Sequence, residues 1–263
     1  MSARLALIAV ALAACRLPPE AAPHRITAAE IAAIPSAFPT TIRTPRDPAF
    51  QPLADALAAQ DAVRAMGELV SVLIDLRRVT VPIAVEECGA PNASFLPREQ
   101  RIRICYELLA QANGLGDKPA DTWDDDTRYF VMFATLHEIA HALFDLIHAQ
   151  PDDEEDRADQ FALLMLTNHD DTALARAATH ASAAFFAHLD RAEGAHDPAD
   201  VHSASIVRAT HAICMLWGRL HDPALRDRLG DRAAACQAET DEARAYWNQR
   251  LAPYTRVASG RTF

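Results

Sequence analysis

The run Phe130-Val131-Met132-Phe133-Ala134-Thr135-Leu136-His137-Glu138-Ile139-Ala140-His141-Ala142-Leu143-Phe144-Asp145-Leu146-Ile147 contains neither glycine nor proline and is apolar almost all round a helical wheel. Such a pattern predicts a buried helix. Residues four apart on a helix differ by about 40° in direction and about 6 Å in height, so the imidazoles of His137 and His141 can reach one point from one face. Glu138 points about 100° away, too far to join them as a ligand but well placed to reach a water near that point. Two imidazoles and a carboxylate inside a buried helix are costly without partners, and a divalent metal supplies them. The spacing fits Zn2+ held by His137 and His141, with Glu138 as general base.

A zinc ion that does chemistry needs a third protein ligand and an open fourth position. The next helical segment begins Glu154-Glu155-Asp156-Arg157-Ala158-Asp159-Gln160. Glu155 and Asp159 stand four apart, so Glu155 is the expected third ligand and Asp159 the expected acceptor for the outer N–H of a ligating histidine. Glu154 and Asp156 compete for the ligand position, although acidic residues there are ordinarily the solvated start of a helix.

Working outward, the motif helix is expected over about 124–148, opened by Asp124-Asp125-Asp126 at the positive end of its dipole. Further helices are expected at about 153–167, 172–189, 201–220 and 231–251. Upstream, Asp47 offers an N-cap with Pro48 at the first helical position, and apolar spacing from Leu53 to Leu76 predicts one long amphipathic helix. Val79 to Val85 and Arg101 to Cys105 alternate like strands on either side of the turn-rich Gly89-Ala90-Pro91-Asn92, which predicts a hairpin or strand pair. The expected fold class is therefore α+β, mostly α, with a small sheet and a helical C-terminal half. One domain is expected over 48–255, followed by a tail at 256–263.

At the other end, Arg4 precedes the apolar run Leu5 to Ala14, too short for a membrane span but right for a secretory signal peptide over 1–14. Leu12-Ala13-Ala14-Cys15 looks like the lipobox of bacterial lipoproteins, with an ordinary cleavage site as the alternative. Cys15 is thus the expected lipidation site and the Pro- and Ala-rich stretch 15–47 a tether. Arg rather than Asp at position 16 suits the periplasmic face of the outer membrane in a Gram-negative host, so the expected partners include a membrane, through the anchor. Four cysteines remain, and sequence neighbours favour Cys88–Cys105 and Cys214–Cys236 among three possible connectivities. Absence of any CxxC pair disfavours a cysteine-rich metal site. The net charge of −11 makes nucleic acid a poor partner.

Beyond the motif, Cys88 with Pro91-Asn92-Ala93, Cys105-Tyr106-Glu107-Leu108, His137 to Asp145, Glu154 to Gln160, His202-Ser203, Cys214, and Arg232 through Cys236 to Glu239 and Trp247 together resemble a bacterial putative metallopeptidase family catalogued as a domain of unknown function. The resemblance spans roughly residues 73–253. Glu155 with Asp159 is similar to the third-ligand helix of the gluzincins, the thermolysin-like clan. This likeness implies a zincin-like fold, Zn2+ as cofactor and a peptide or protein substrate. Ala140 departs from it where such motifs often carry Gly, as does the glycine-free connection before Glu154. Under the same resemblance His202 is the leading catalytic candidate for an oxyanion donor, with Arg208 and Tyr106 behind it. Arg101 to Cys105 is then the expected edge strand along which a substrate lies. Two alternatives stand beside the peptidase: a lipid-anchored binding or assembly module with a structural or vestigial zinc site, and a zinc amidase acting on a non-protein substrate.

Overall fold

The structure is a computed structural model, and it describes residues 33–76, 79–114, 123–167, 171–193 and 202–256. The expected signal peptide at 1–14, Cys15, most of the tether and residues 257–263 lie outside the described residues.

Among the described residues, four short strands make one sheet: β1 (Thr40–Ile42), β2 (Ile83–Glu86), β3 (Ala93–Leu96) and β4 (Arg101–Cys105), in the order β1-β2-β4-β3. β2 runs parallel to both β1 and β4, whereas β3 is antiparallel to β4. The two segments expected as a hairpin or strand pair are therefore paired, as parallel neighbours and not as a hairpin. The hairpin partner of β4 is β3, whose residues lie beside turn formers and carry no clear alternation. β4 does alternate as expected, with Ile102 and Ile104 fully buried.

β1 falls inside the stretch read as a tether. Phe38 just before it is fully buried, and a Cβ added at Gly67 would meet the Phe38 Cβ at 2.8 Å. Packing this close needs glycine opposite Phe38. A single phenylalanine among prolines and alanines leaves no periodic signal, which is why the sequence placed the domain start later.

The helices are α1 (Gln51–Gln60), α2 (Ala62–Leu73), α3 (Tyr106–Asn113), α4 (Asp125–Leu146), α5 (Glu154–Thr167), α6 (Thr172–Glu193), α7 (Ser205–Leu220), α8 (Pro223–Leu229) and α9 (Ala233–Leu251). The single long helix expected after Pro48 is broken at Asp61, which sits left-handed at φ 54° between α1 and α2. Aspartate tolerates that conformation better than most residues. The break lets Leu53 and Leu57 of α1 and Val63, Met66 and Val70 of α2 all bury.

α4 is the central element. Asp124 caps it, its side chain accepting the Thr127 N–H at 2.7 Å. At the other end His148 takes the left-handed position at φ 54° and the Ala149 N–H bonds the Phe144 carbonyl at 2.9 Å. This is the usual work of a C-terminal glycine, done here by histidine. It explains how a glycine-free connection reverses into α5. Trp247 of α9 then closes the core, its ring 4.8 Å from both Phe144 and Phe161 and its Nε1 donating to the Arg157 carbonyl at 3.1 Å.

Both favoured disulfides are present. Cys88–Cys105 ties the loop before β3 to the end of β4, and Cys214–Cys236 ties α7 to α9. Each closes a loop of about 20 residues and stabilises by about 3 kcal/mol in the chain-entropy account. Among the described residues, no helix is long and apolar enough to cross a membrane.

Candidate metal centre

Helical spacing turns His137 and His141 of α4 towards α5, and their Nε2 atoms stand 3.1 Å apart. Glu155 Oε2 lies 3.2 Å from His137 Nε2 and 3.4 Å from His141 Nε2. The outer nitrogens face carboxylates: His137 Nδ1 meets Asp159 Oδ1 at 2.8 Å and His141 Nδ1 meets Glu154 Oε1 at 2.6 Å. With a proton on each Nδ1 beside its carboxylate, the neutral tautomers turn both Nε2 lone pairs to where Glu155 Oε2 also points. That oxygen is buried and receives no well-directed hydrogen bond. In those tautomers three acceptors converge on one place and repel one another unless a metal ion, or protons on the rings, stand between them.

Without an ion at that point, the same contacts favour protonated rings instead. Burial opposes charge on His137, but the nearby carboxylates of Asp159 and Glu155 outweigh it and raise its pKa above the usual 6.5. For His141 burial is likewise overcome, first by Glu155, and the pKa rises to about 9. Burial disfavours ionised Glu155, yet His137, His141 and His202 hold it far below the ordinary carboxylate range. Two imidazoles and a carboxylate form a donor set suited to zinc.

His202 completes the cluster. Its Nε2 is 3.1 Å from Glu155 Oε2, and ligand atoms of His137, Glu155 and His202 all lie within 4.8 Å of one another. Rather than opening a helix, His202 lies three residues before the start of α7. The segment is held by Ser203, whose hydroxyl donates to Asp156 Oδ1 at 2.8 Å. His202 is also the most accessible member, its side chain 40% exposed against 21% for Glu155 and 7% for His137.

A model of the putative metallopeptidase family matches residues 43–251, from the end of β1 to the last residue of α9. The chain belongs to this family. No curated protein and no solved structure matches it. For this metallopeptidase-family chain the match takes in every residue of the cluster, Glu138 and both disulfides.

Glu138 is 6% exposed, and its Oε2 accepts the main-chain N–H of Phe95 at 2.7 Å. β3 is able to donate there because Cys105 N–H bonds the Asn92 carbonyl, so in this register residues 93 and 95 turn their main-chain groups away from β4. The edge strand above α4 is thus β3, and β4, expected at the edge, lies inside the sheet. A cleft of about 300 Å³ runs between Asn92, Ala93 and Phe95 of this edge and Glu138, Glu155 and His202.

The remaining candidates divide. Asp159 sits as expected behind His137 and is gripped by Arg208, Nε and Nη2 each at 2.7 Å from its carboxylate oxygens. Burial works against its charge, but Arg208 and His137 keep its pKa well below normal. Arg208 is therefore an anchor for Asp159. Tyr106 is buried elsewhere, its hydroxyl donating to the Arg43 carbonyl at 2.6 Å. Glu154 is the outer partner of His141, and Asp156 holds Ser203, so neither replaces Glu155. Sequence reasoning missed the Phe95 N–H, because a main-chain donor leaves no residue signature.

Proposed function

We propose that this chain is a gluzincin-like, zinc-dependent peptidase, with the metal on His137, His141 and Glu155, Glu138 as general base and His202 as oxyanion donor. The convergence of His137 Nε2, His141 Nε2 and Glu155 Oε2 on one point, beside an open cleft, is the observation that carries this reading. When bound there, Zn2+ would supply Lewis acidity to a peptide carbonyl and to water. Glu138, with one oxygen held by Phe95, takes a proton from a water in the cleft and returns it to the departing amine. Asp159 and Glu154 keep the histidines in the tautomer that presents Nε2. The outward main-chain groups of Ala93 offer an edge to which an extended substrate can add as a further strand. His202 reaches over the same point from α7's leading segment, where an Nε2–H would face the developing oxyanion. The lipobox-like Leu12 to Cys15 supports an exported protein anchored at the periplasmic face of the outer membrane, in keeping with two disulfides.

A second reading has one observation in its favour. His202 as a fourth protein ligand would close the coordination sphere, as in a structural zinc site of a binding or assembly module. Metal content and cleavage of casein and peptides, compared between the native chain and Glu138→Gln, separate the two. The peptidase reading expects one zinc per chain in both proteins and a rate at least 100-fold lower in the variant. Zinc bound without any cleavage by the native chain favours the module; undiminished cleavage by Glu138→Gln removes the base from the mechanism.

A further inference from the structure

Beside the metal cleft lies a second cavity, of about 330 Å³, walled by Leu108 of α3, Phe130 and Phe133 of α4, and Phe185, Phe186 and Leu189 of α6. The four phenylalanines are each 4% exposed or less, yet they surround open space. An apolar core normally closes over a void of that size, since unfilled volume forfeits dispersion contacts. This one is not a sealed void: it borders Asn92, Ala93, His137, Glu138 and His202, which line the metal cleft as well, so the two spaces meet at the candidate metal cluster. Phe130, Phe133 and His137 occupy one helical stripe of α4, and the Phe133 ring centroid is 6.1 Å from that of His137. The apolar wall therefore continues directly from the metal-facing surface of the same helix.

Among the described residues, the one arginine or lysine on the wall is Arg208, and it is already committed. Both its bonds go to Asp159, and its guanidinium lies 4.1 Å over the Phe186 ring. Besides His137, Glu138 and His202 on the border shared with the metal cleft, the neutral amides of Gln111 and Asn92 are the other polar contributors. An acidic or basic side chain lodged among the phenylalanines would be desolvated, with Arg208 held by Asp159 and Glu138 by the Phe95 N–H. A cavity near 330 Å³ is at the lower end of the range for small-molecule sites, about 300–1,000 Å³, and is sized for one large side chain.

We infer that this cavity is the specificity pocket of the enzyme and takes a large apolar side chain, aromatic by preference, from the substrate residue next to the bond that is cut. The inference rests on the peptidase reading and adds the substrate class to it. A phenyl ring placed there lies edge-on or offset against the four phenylalanines, in the geometry aromatic pairs favour.

The test uses the zinc-loaded, oxidised chain and a set of quenched fluorescent peptides that carry Phe, Leu, Ala, Lys or Asp at each position in turn, with cut sites read by mass spectrometry. In parallel, the same peptides are titrated calorimetrically into the zinc-loaded Glu138→Gln chain. At one position flanking the cut, Phe is expected to exceed Ala at least 10-fold in kcat/KM and in affinity, with Lys and Asp excluded. Filling the cavity with Leu189→Trp is expected to reduce that Phe-to-Ala ratio at least 10-fold, and Leu189→Ala, which adds space, to change it without collapse of the fold. Efficient cleavage with no apolar preference at any position, or a ratio unmoved by both Leu189 variants, overturns the pocket and leaves the peptidase reading standing. Selective binding of Phe peptides with no cleavage by the native chain has the opposite meaning: the pocket stands and the peptidase reading fails.

Discussion

The main-chain N–H of Phe95 donates to the carboxylate of Glu138 at 2.7 Å, joining the sheet edge to the buried helix that carries both histidines. The bond fixes one oxygen of the proposed base and leaves the other for water. Because Phe95 N–H faces away from β4, proline at 95 removes this donor and no ladder bond. Phe95→Pro is expected to lower kcat about 10- to 100-fold, the worth of a hydrogen bond to a charged group. Phe95→Ala keeps the N–H and serves as the control for the lost ring. Equal rates for the two variants would mean that the bond does not position the base.

Whether the proposed zinc sphere is open or closed turns on His202. As an oxyanion donor its removal in His202→Ala is expected to lower kcat about 100-fold or more, with one zinc per chain retained. A competition titration with a chelator checks the second half of that statement. Zinc affinity reduced in step with the rate would instead make His202 a ligand and the site a closed one.

Asp159 holds the outer nitrogen of His137 while neutralising Arg208, and both side chains are largely buried. In Asp159→Ala the guanidinium is left without its partner, so a loss of about 3–5 kcal/mol in unfolding free energy is expected, together with a zinc affinity about 10- to 100-fold weaker. Replacing both residues, Asp159→Ala with Arg208→Met, is expected to recover much of the stability and none of the metal affinity. Denaturant melts and chelator competition read the two effects separately.

His180 lies beside Arg228, whose Nη1 donates to His180 Nδ1 at 3.2 Å, an arrangement that requires an unprotonated ring nitrogen. Burial first, then the charges of Arg228 and Arg176, depress its pKa below 6.5. The folded protein thus resists a proton that the unfolded chain accepts. Stability from this site is complete above pH 6.5 and is lost as pH falls from there through the depressed folded value. With zinc saturating, the melting temperature is expected to fall less between pH 7.5 and pH 5 in His180→Gln than in the native chain. An identical fall in both would rule His180 out as the source.

Local repetition made part of this molecule legible in advance. The 3.6-residue period alone placed His137 and His141 on one face of α4 and Asp159 one turn beyond Glu155. The same kind of signal marked the helical C-terminal half and the alternating Ile102 and Ile104 of β4, and sequence proximity favoured both disulfides. What depended on how elements cross one another was not legible. Glu154, one residue from Glu155, became the outer partner of His141 because α5 packs against α4 at one particular rotation. The register between β3 and β4 turned a main-chain N–H of Phe95 towards Glu138, and the anchoring of Ser203 on Asp156 brought His202 to Glu155. Phe38 and β1 joined the sheet from a stretch without periodicity. Spacing along a helix is a property of the backbone and is therefore written in the sequence, whereas the meeting of distant segments is settled by packing the whole core at once.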